Sequence, residues 1–210
     1  MYNLSAERNH RVLVVDDNPA IHADFRKILS PAASTAADLD ASELAVFGHS
    51  AVPAQQIQFE MTSAFQALEG LALVEKAMAA GRPYALAFVD VRMPPGMDGV
   101  EAARKIWELD PQLQIVLCTA YSDYSWAEIF ERLGQRDGLL ILKKPFDAVE
   151  AIQLAHALTE KWWLHSQLRQ NLHQLEGLIL ARTHELQAAN ERLQSEIAER
   201  SRTEAVLGQA

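Results

Sequence analysis

The sequence predicts a doubly wound α/β domain with a five-stranded parallel sheet, followed by a long α-helical coiled coil. Short apolar runs alternate with amphipathic helical patterns between residues 11 and 155. Several of these runs end abruptly in a polar side chain, as buried strands do at the ligand-binding edge of such sheets. No proline interrupts the helical pattern after about residue 157. We therefore divide the chain into residues 1–155 and residues 156–210.

Composition argues against several classes of function. The formal charge of −9 at pH 7 argues against a nucleic-acid-binding surface. The single cysteine, Cys118, excludes an internal disulfide framework, and we expect its thiol to be buried and inert. The apolar runs are too short to span a bilayer, and the N-terminus has no signal-peptide pattern. We expect a cytoplasmic protein without membrane insertion.

The predicted elements are set by apolar runs and capping residues. Strands are expected at residues 11–15, 56–61, 86–90, 114–119 and 139–142. Helices are expected to begin after the capping residues Asn18, Ser63, Asp98, Ser125 and Asp147. We expect Ile21, Phe25 and Ile28 to form the inward face of the first helix. Residues 30–55, rich in Ala, Ser and Pro, are interpreted as an insertion after that helix.

Reactive side chains stand at the C-terminal ends of the predicted strands: Asp16, Asp17, Asp90, Thr119 and Lys144. Adjacent aspartates are costly to keep ionised together without a cation, although a solvated helix cap would also explain the first two. Carboxylate oxygens suit Mg²⁺. A lysine and a hydroxyl could contact a transferred phosphoryl group. The sequence therefore predicts a phosphoryl-transfer site.

These motifs resemble the flavodoxin-like receiver domain of two-component response regulators. The matching stretches are Val14-Val15-Asp16-Asp17-Asn18, Val89-Asp90, Met93-Pro94, Met97-Asp98-Gly99, Thr119-Ala120 and Lys144-Pro145-Phe146. The resemblance implies that Asp90 accepts a phosphoryl group from a phosphohistidine. The partner would be a cognate histidine kinase or phosphotransfer protein.

The resemblance also implies a role for each neighbouring residue. Mg²⁺ would be bound directly by Asp17, Asp90 and the backbone carbonyl of Arg92. Asp16 would act through a water molecule.

Two further residues would contact the phosphoryl oxygens, Thr119 and Lys144. Lys144 is preferred to Lys143 because the family's lysine immediately precedes the proline. The family usually carries an aromatic switch residue three positions before that lysine. Ile141 stands there, so the coupling of Thr119 to an aromatic rotamer is in question. The loop after the phosphoacceptor strand is also one residue longer than the common pattern.

Residues 156–210 are expected to form a coiled-coil signalling helix. Apolar residues recur at spacings of three and four, with Arg182 as the exception. The predicted interface consists of Leu168, Leu172, Leu175, Ile179, Leu186 and Leu193. We expect a parallel homodimer rather than a hairpin within one chain, because Gly177 alone is a poor turn.

The leading hypothesis is a response regulator that relays phosphorylation of Asp90 through a dimeric helix. It would be no enzyme beyond its own phosphorylation and dephosphorylation, and any enzymatic output would lie beyond residue 210. Alternatives are a piece of a larger effector, such as a diguanylate cyclase or hybrid histidine kinase, and a scaffold that only dimerises. A phosphatase of the haloacid-dehalogenase type is disfavoured, because Arg92 stands where a second aspartate is needed.

Overall fold

The computed structural model describes residues 8–30, 58–120, 126–134 and 136–207. Within these ranges five strands alternate with five helices. The strands are β1 (Arg11–Val15), β2 (Glu60–Ala64), β3 (Leu86–Asp90), β4 (Gln114–Thr119) and β5 (Leu139–Lys143). The helices are α1 (Pro19–Leu29), α2 (Ala67–Ala79), α3 (Gly99–Leu109), α4 (Trp126–Leu133) and α5 (Ala148–Leu207).

The strands form one parallel sheet in the order β2-β1-β3-β4-β5. β1 and β3 are neighbours, and the chain leaves them towards opposite edges of the sheet. Such a reversal of strand order opens a crevice at the carboxyl ends of the two strands. Asp16 follows β1 and Asp90 ends β3, so both lie at this crevice. The predicted fold class is confirmed.

Successive β1 side chains pack on opposite faces of the sheet. Leu13 and Val15 join the core between the sheet and the helices α2, α3 and α4. Val12 and Val14 join the core between the sheet and the helices α1 and α5. Each fully buried aliphatic side chain contributes roughly 1.5–3 kcal/mol, so β1 is held firmly in the sheet between β2 and β3.

The second strand and the helix after it begin later than the sequence predicts. β2 pairs with β1 from Arg11↔Glu60 to Val15↔Ala64, so Ser63 lies inside the sheet. The prediction that Ser63 starts a helix was therefore wrong, since pairing with β1 outweighs the local capping pattern. Gln66 is the N-terminal cap of α2 instead, with extended backbone and no side-chain capping hydrogen bond.

Two of the three inward-facing residues of the first helix differ from those predicted. Its fully buried side chains are His22, Phe25 and Leu29. Ile21 and Ile28 are only partly buried against the same core. The predicted insertion falls on residues outside the described ranges, apart from Ser30, and so does the predicted cap Ser125.

The chain separates into two compact units, Met1–Trp163 and Leu164–Ala210. In the first unit, α5 buries Ala151, Ala155 and Leu158 against the sheet. In the second unit the described side chains are mostly exposed. No helix in the described part of the chain is both long and apolar enough to cross a bilayer.

A glycine at the start of α3 allows this helix to approach Asp90. A Cβ added at Gly99 would overlap the backbone carbonyl of Asp90. We predict that Gly99→Ala lowers the free energy of unfolding by about 2–3 kcal/mol, because overpacking moves backbone rather than a flexible side chain. Gly138→Ala is the matched control. Its Cβ would meet the Gln114 side chain at an ordinary 3.6 Å, and we expect a change within about 0.5 kcal/mol.

Urea denaturation of both variants measures the difference. Equal unfolding free energies would contradict the close packing of α3 on the end of β3.

Candidate functional site

Asp16 is held in place through four of its atoms. Its backbone N–H donates to the Ala64 carbonyl at 3.1 Å, which extends the pairing of β1 with β2. Its backbone oxygen lies 2.7 Å from His22 Nε2. One carboxylate oxygen accepts from the Asn18 backbone N–H at 2.9 Å, and the other accepts from Lys144 Nζ at 2.6 Å. Both carboxylate oxygens are therefore already bound by donors of the chain itself.

The Lys144 ammonium joins two buried carboxylates. Besides Asp16, it donates to Asp90 Oδ1 at 2.7 Å. The Lys144 backbone N–H donates to the Thr119 carbonyl at 2.8 Å, which fixes the segment after β5 against the end of β4. Buried charges require such partners, and charge-assisted hydrogen bonds are the stronger kind.

Burial and charge act in opposite directions on these groups. Burial is the largest influence on Asp90 and raises its pKa. The hydrogen bond and charge of Lys144 oppose that rise, while the negative charges of Asp16 and Asp17 add to it. Burial lowers the pKa of Lys144, but its hydrogen bonds to Asp16 and Asp90 outweigh this effect and the pKa is raised overall. Lys144 is therefore a cation at neutral pH.

Three carboxylates share one small space at the crevice. Single oxygens of Asp16, Asp17 and Asp90 lie within 4.8 Å of one another. Asp17 is the most exposed of the three. Among the residues that the structure describes, no hydrogen-bond donor binds its carboxylate. This all-oxygen ligand set, with one uncommitted carboxylate, fits a hard divalent cation such as Mg²⁺.

The loop after β3 is anchored to the sheet and to α3. The Val91 backbone N–H donates to the Cys118 carbonyl at 3.0 Å, and the Val91 carbonyl accepts from Gly99 at 2.9 Å. The Asp98 side chain caps α3 by accepting from the Glu101 backbone N–H at 2.7 Å. These bonds hold the loop that follows Asp90 close to the start of α3.

The remaining predicted residues of the receiver lie on β4, on β5 and in the loop after β3. Thr119 ends β4, is buried, and donates from its hydroxyl to the Ala120 carbonyl at 3.0 Å. Ile141 pairs with Leu117, two residues before Thr119, and is partly buried against the core. Arg92 lies in the loop that follows β3. The structure thus brings Asp16, Asp17, Asp90 and Lys144 into direct proximity, with Thr119 at the end of the strand next to β3.

Cys118 lies next to Asp90 in the sheet but is not part of this site. It pairs with Asp90 across β3 and β4 and is fully buried. Burial raises the pKa of its thiol, which keeps it protonated and unreactive.

Sequence reasoning missed His22. The residue belongs to no motif, and its one signal was a position three residues before the inward-facing Phe25 on α1. The hydrogen bond from its ring to the Asp16 backbone was visible only in the folded structure.

A family model described as "Response regulator receiver domain" matches residues 51–156. The chain belongs to this family. The match begins after Asp16 and Asp17, and the position of β1 next to β3 brings these two residues beside Asp90 within the receiver.

Two curated relatives match part of the receiver. The DNA-binding transcriptional regulator NtrC of Escherichia coli K12 is 37% identical over 102 residues, covering 49% of this chain and 20% of NtrC. The C4-dicarboxylate transport transcriptional regulatory protein DctD of Rhizobium meliloti is 40% identical over 72 residues, covering 34% of this chain and 15% of DctD. The chain spans a fifth or less of the length of these relatives.

Solved structures share the receiver fold. An adenylate cyclase structure from Rhodopirellula baltica has a TM-score of 0.55 at 22% identity, covering 78% of this chain and 97% of that one. The signal receiver domain of an HD domain-containing protein from Pseudomonas fluorescens Pf-5 has a TM-score of 0.56 at 17% identity, covering 80% and 98%. At these identities the similarity establishes the fold of the receiver alone.

The raised pKa of Asp90 predicts a stability effect in metal-free buffer. Folding favours the protonated Asp90 carboxyl, so its stabilising contribution is present below the ordinary pKa and is lost as the pH rises through the raised value. We predict that Asp90→Asn, which carries no charge, raises the thermal midpoint of the receiver at neutral pH. The difference should shrink as the pH falls towards about 4.

Thermal unfolding monitored by circular dichroism across this pH range is the measurement. Asp24→Asn, at an exposed carboxylate on α1, is the control and should change the midpoint less. A higher thermal midpoint for the wild type than for Asp90→Asn at neutral pH would contradict the prediction.

Proposed function

We propose that this receiver accepts a phosphoryl group on Asp90 from the phosphohistidine of a histidine kinase or phosphotransfer protein. The observation that carries the proposal is the position of the Asp90 carboxylate, at the end of β3 and within hydrogen-bond distance of the Lys144 ammonium. The acidic cluster beside it supplies the rest of a phosphoryl-transfer site. Such a reaction takes place in the cytoplasm, where we place the protein.

The proposed transfer uses the carboxylate as nucleophile. An Asp90 oxygen attacks phosphorus, the phosphorus–nitrogen bond of the phosphohistidine breaks, and the imidazole leaves with the bonding pair and takes up a proton. Lys144 favours the ionised form of Asp90 against the effect of burial and neutralises charge on the transferred group. Thr119 stands at the neighbouring strand end, where its hydroxyl can contact a phosphoryl oxygen.

The proposed cofactor is Mg²⁺, held by Asp17, Asp90 and the Arg92 backbone carbonyl, with Asp16 acting through water. When bound, it supplies positive charge that compensates the phosphoryl oxygens. The hydrogen bonds to Asp16 support this division of roles. Both of its carboxylate oxygens already accept from the chain, whereas the Asp17 carboxylate binds no donor among the described residues.

Phosphorylation of Asp90 can be tested with a small-molecule phosphodonor and Mg²⁺. We predict that the wild-type chain gains one phosphoryl group by intact-protein mass spectrometry and that Asp90→Asn gains none. Asp110→Asn, at a buried carboxylate that ends α3 away from the crevice, is the matched control and should be modified like wild type. Equal modification of Asp90→Asn and wild type would overturn the proposal.

The two aspartates after β1 should differ in their effect on Mg²⁺ affinity. We predict that Asp17→Ala weakens the affinity by at least about tenfold, and more than Asp16→Ala does, because a direct ligand is lost. Isothermal titration calorimetry with MgCl₂ measures both, with Asp24→Ala on the exposed face of α1 as control. Wild-type affinity in Asp17→Ala would refute this assignment.

We propose that the second unit pairs with the same unit of another chain as a parallel coiled coil. The six predicted interface residues on α5 are between 52% and 66% exposed in the single chain. Burying one such leucine contributes roughly 1.5–3 kcal/mol, so the row favours association. Arg182, which interrupts the row, forms an ion pair with Glu185 at 2.7 Å, so its charge is partly compensated within the helix.

Charged substitutions in the full chain test the dimer. Leu175 lies on the predicted interface, whereas Leu180 lies off it on the same helix, and both are more than half exposed. We predict that Leu175→Glu shifts the chain towards monomer in sedimentation equilibrium, while Leu180→Glu leaves the dimer intact, because only the first places a charge between the helices. Equal effects of the two substitutions would contradict the proposed interface.

Two alternatives remain for what the receiver controls. The relatives' names include a DNA-binding transcriptional regulator and an adenylate cyclase, and they indicate no common output. The chain could be part of a larger effector, such as a diguanylate cyclase or hybrid histidine kinase, or a scaffold that only dimerises. We propose that this chain does not bind nucleic acid, because its formal net charge is −9 at pH 7.

A further inference from the structure

A buried histidine lies directly behind the acidic cluster. His22 is 2% exposed, and its Nε2 atom is 2.7 Å from the backbone oxygen of Asp16. A carbonyl oxygen can only accept a hydrogen bond, so Nε2 carries the proton and donates. The other ring nitrogen, Nδ1, is buried without a hydrogen-bond partner among the described residues. The single hydrogen bond of this ring is therefore directed at the site.

The bonded oxygen belongs to the peptide that joins Asp16 to Asp17. β1 ends at Val15, so this peptide lies beyond the last residue of the strand. The Asp16 N–H still pairs with the Ala64 carbonyl, as in the sheet, but the Asp16 carbonyl accepts from a side chain instead. A buried carbonyl without a donor is costly, so the histidine bond determines the orientation of the peptide plane. That orientation sets the direction in which Asp17 leaves the strand.

Packing prevents the ring from turning away. The ring of Phe65 lies against His22 with centroids 4.4 Å apart and planes inclined at 48°. Phe65 follows directly after Ala64, the residue whose carbonyl binds Asp16. Phe25, one turn along α1, is fully buried on the same face of the helix. The histidine is therefore fixed by the same two elements, α1 and the end of β2, that flank Asp16.

We propose that His22 is a positioning residue for the phosphoryl-transfer site: it fixes the Asp16–Asp17 peptide so that the Asp17 carboxylate meets that of Asp90. The inference rests on the proposed function of Asp90. It assigns to His22 no contact with the phosphoryl group and no proton transfer. Groups that orient metal ligands in this way typically affect metal affinity about 10–100-fold.

A purely structural histidine would behave differently. Its loss would lower stability and leave the Mg²⁺ affinity of the folded protein unchanged. The proposal instead requires that affinity depend on the side-chain N–H at this position.

Three variants of the full chain separate the two roles. His22→Leu removes the donor, and His22→Gln keeps a side-chain N–H at a similar reach. Leu29→Ala is the stability control, because Leu29 is fully buried on the same helix, two turns further from the site. We expect His22→Leu to weaken Mg²⁺ binding about tenfold or more in calorimetry. We expect His22→Gln to recover most of the affinity, and Leu29→Ala to bind like wild type despite a lower melting temperature.

Wild-type affinity in His22→Leu would overturn the proposal, as would equal losses in His22→Leu and His22→Gln. A loss in Leu29→Ala as large as that in His22→Leu would also overturn it, because stability alone would then explain the effect. If His22→Leu fails to fold, ¹⁵N NMR of the wild-type ring decides, and an unprotonated Nε2 would refute the bond to Asp16.

Mg²⁺ affinity is measured without phosphorylation, so this test is independent of the acceptor role of Asp90. An Asp90→Asn variant that is still phosphorylated would refute the proposed function. That outcome would leave the calorimetric result on His22 unchanged.

Discussion

The Lys144 ammonium, placed between the carboxylates of Asp16 and Asp90, is the interaction on which the site depends. Without a cation, two buried carboxylates at neighbouring strand ends would repel each other and lose their hydration. The lysine lies after β5, the strand at the far edge of the sheet, and its backbone bond to Thr119 brings it past the end of β4. One side chain thus links the ends of β1 and β3 to the segment after β5.

The packing around these strand ends helps to hold Asp16 and Asp90 in place. Gly99 lets α3 approach the Asp90 backbone, and the bonds of Val91 hold the following loop. His22 supports the opposite side of the crevice through the Asp16 backbone. Burial, and to a smaller extent the charges of Asp16 and Asp17, raise the pKa of Asp90 against the opposing effect of Lys144. A site that gathers three carboxylates in this way favours the binding of a cation.

Much of this arrangement could be predicted from sequence, because apolar runs that end in a polar or charged side chain carry a strong local signal. β1, β3 and β4 were predicted to the residue for this reason. The end of β2 was not, since Ser63 resembles a helix cap in its local sequence and only its pairing with Val14 places it in the sheet. His22 was missed because its role depends on a contact with a backbone atom, which no side-chain motif encodes.

The central claim is that Asp90, and no other carboxylate of the cluster, receives the phosphoryl group. Reductive trapping tests it most directly: borohydride converts a phosphorylated aspartate to homoserine, and peptide sequencing by mass spectrometry then locates the converted residue. The wild-type chain, treated with a phosphodonor and Mg²⁺, should yield homoserine at position 90 alone. Homoserine at position 16 or 17, or conversion spread over the cluster, would contradict the account.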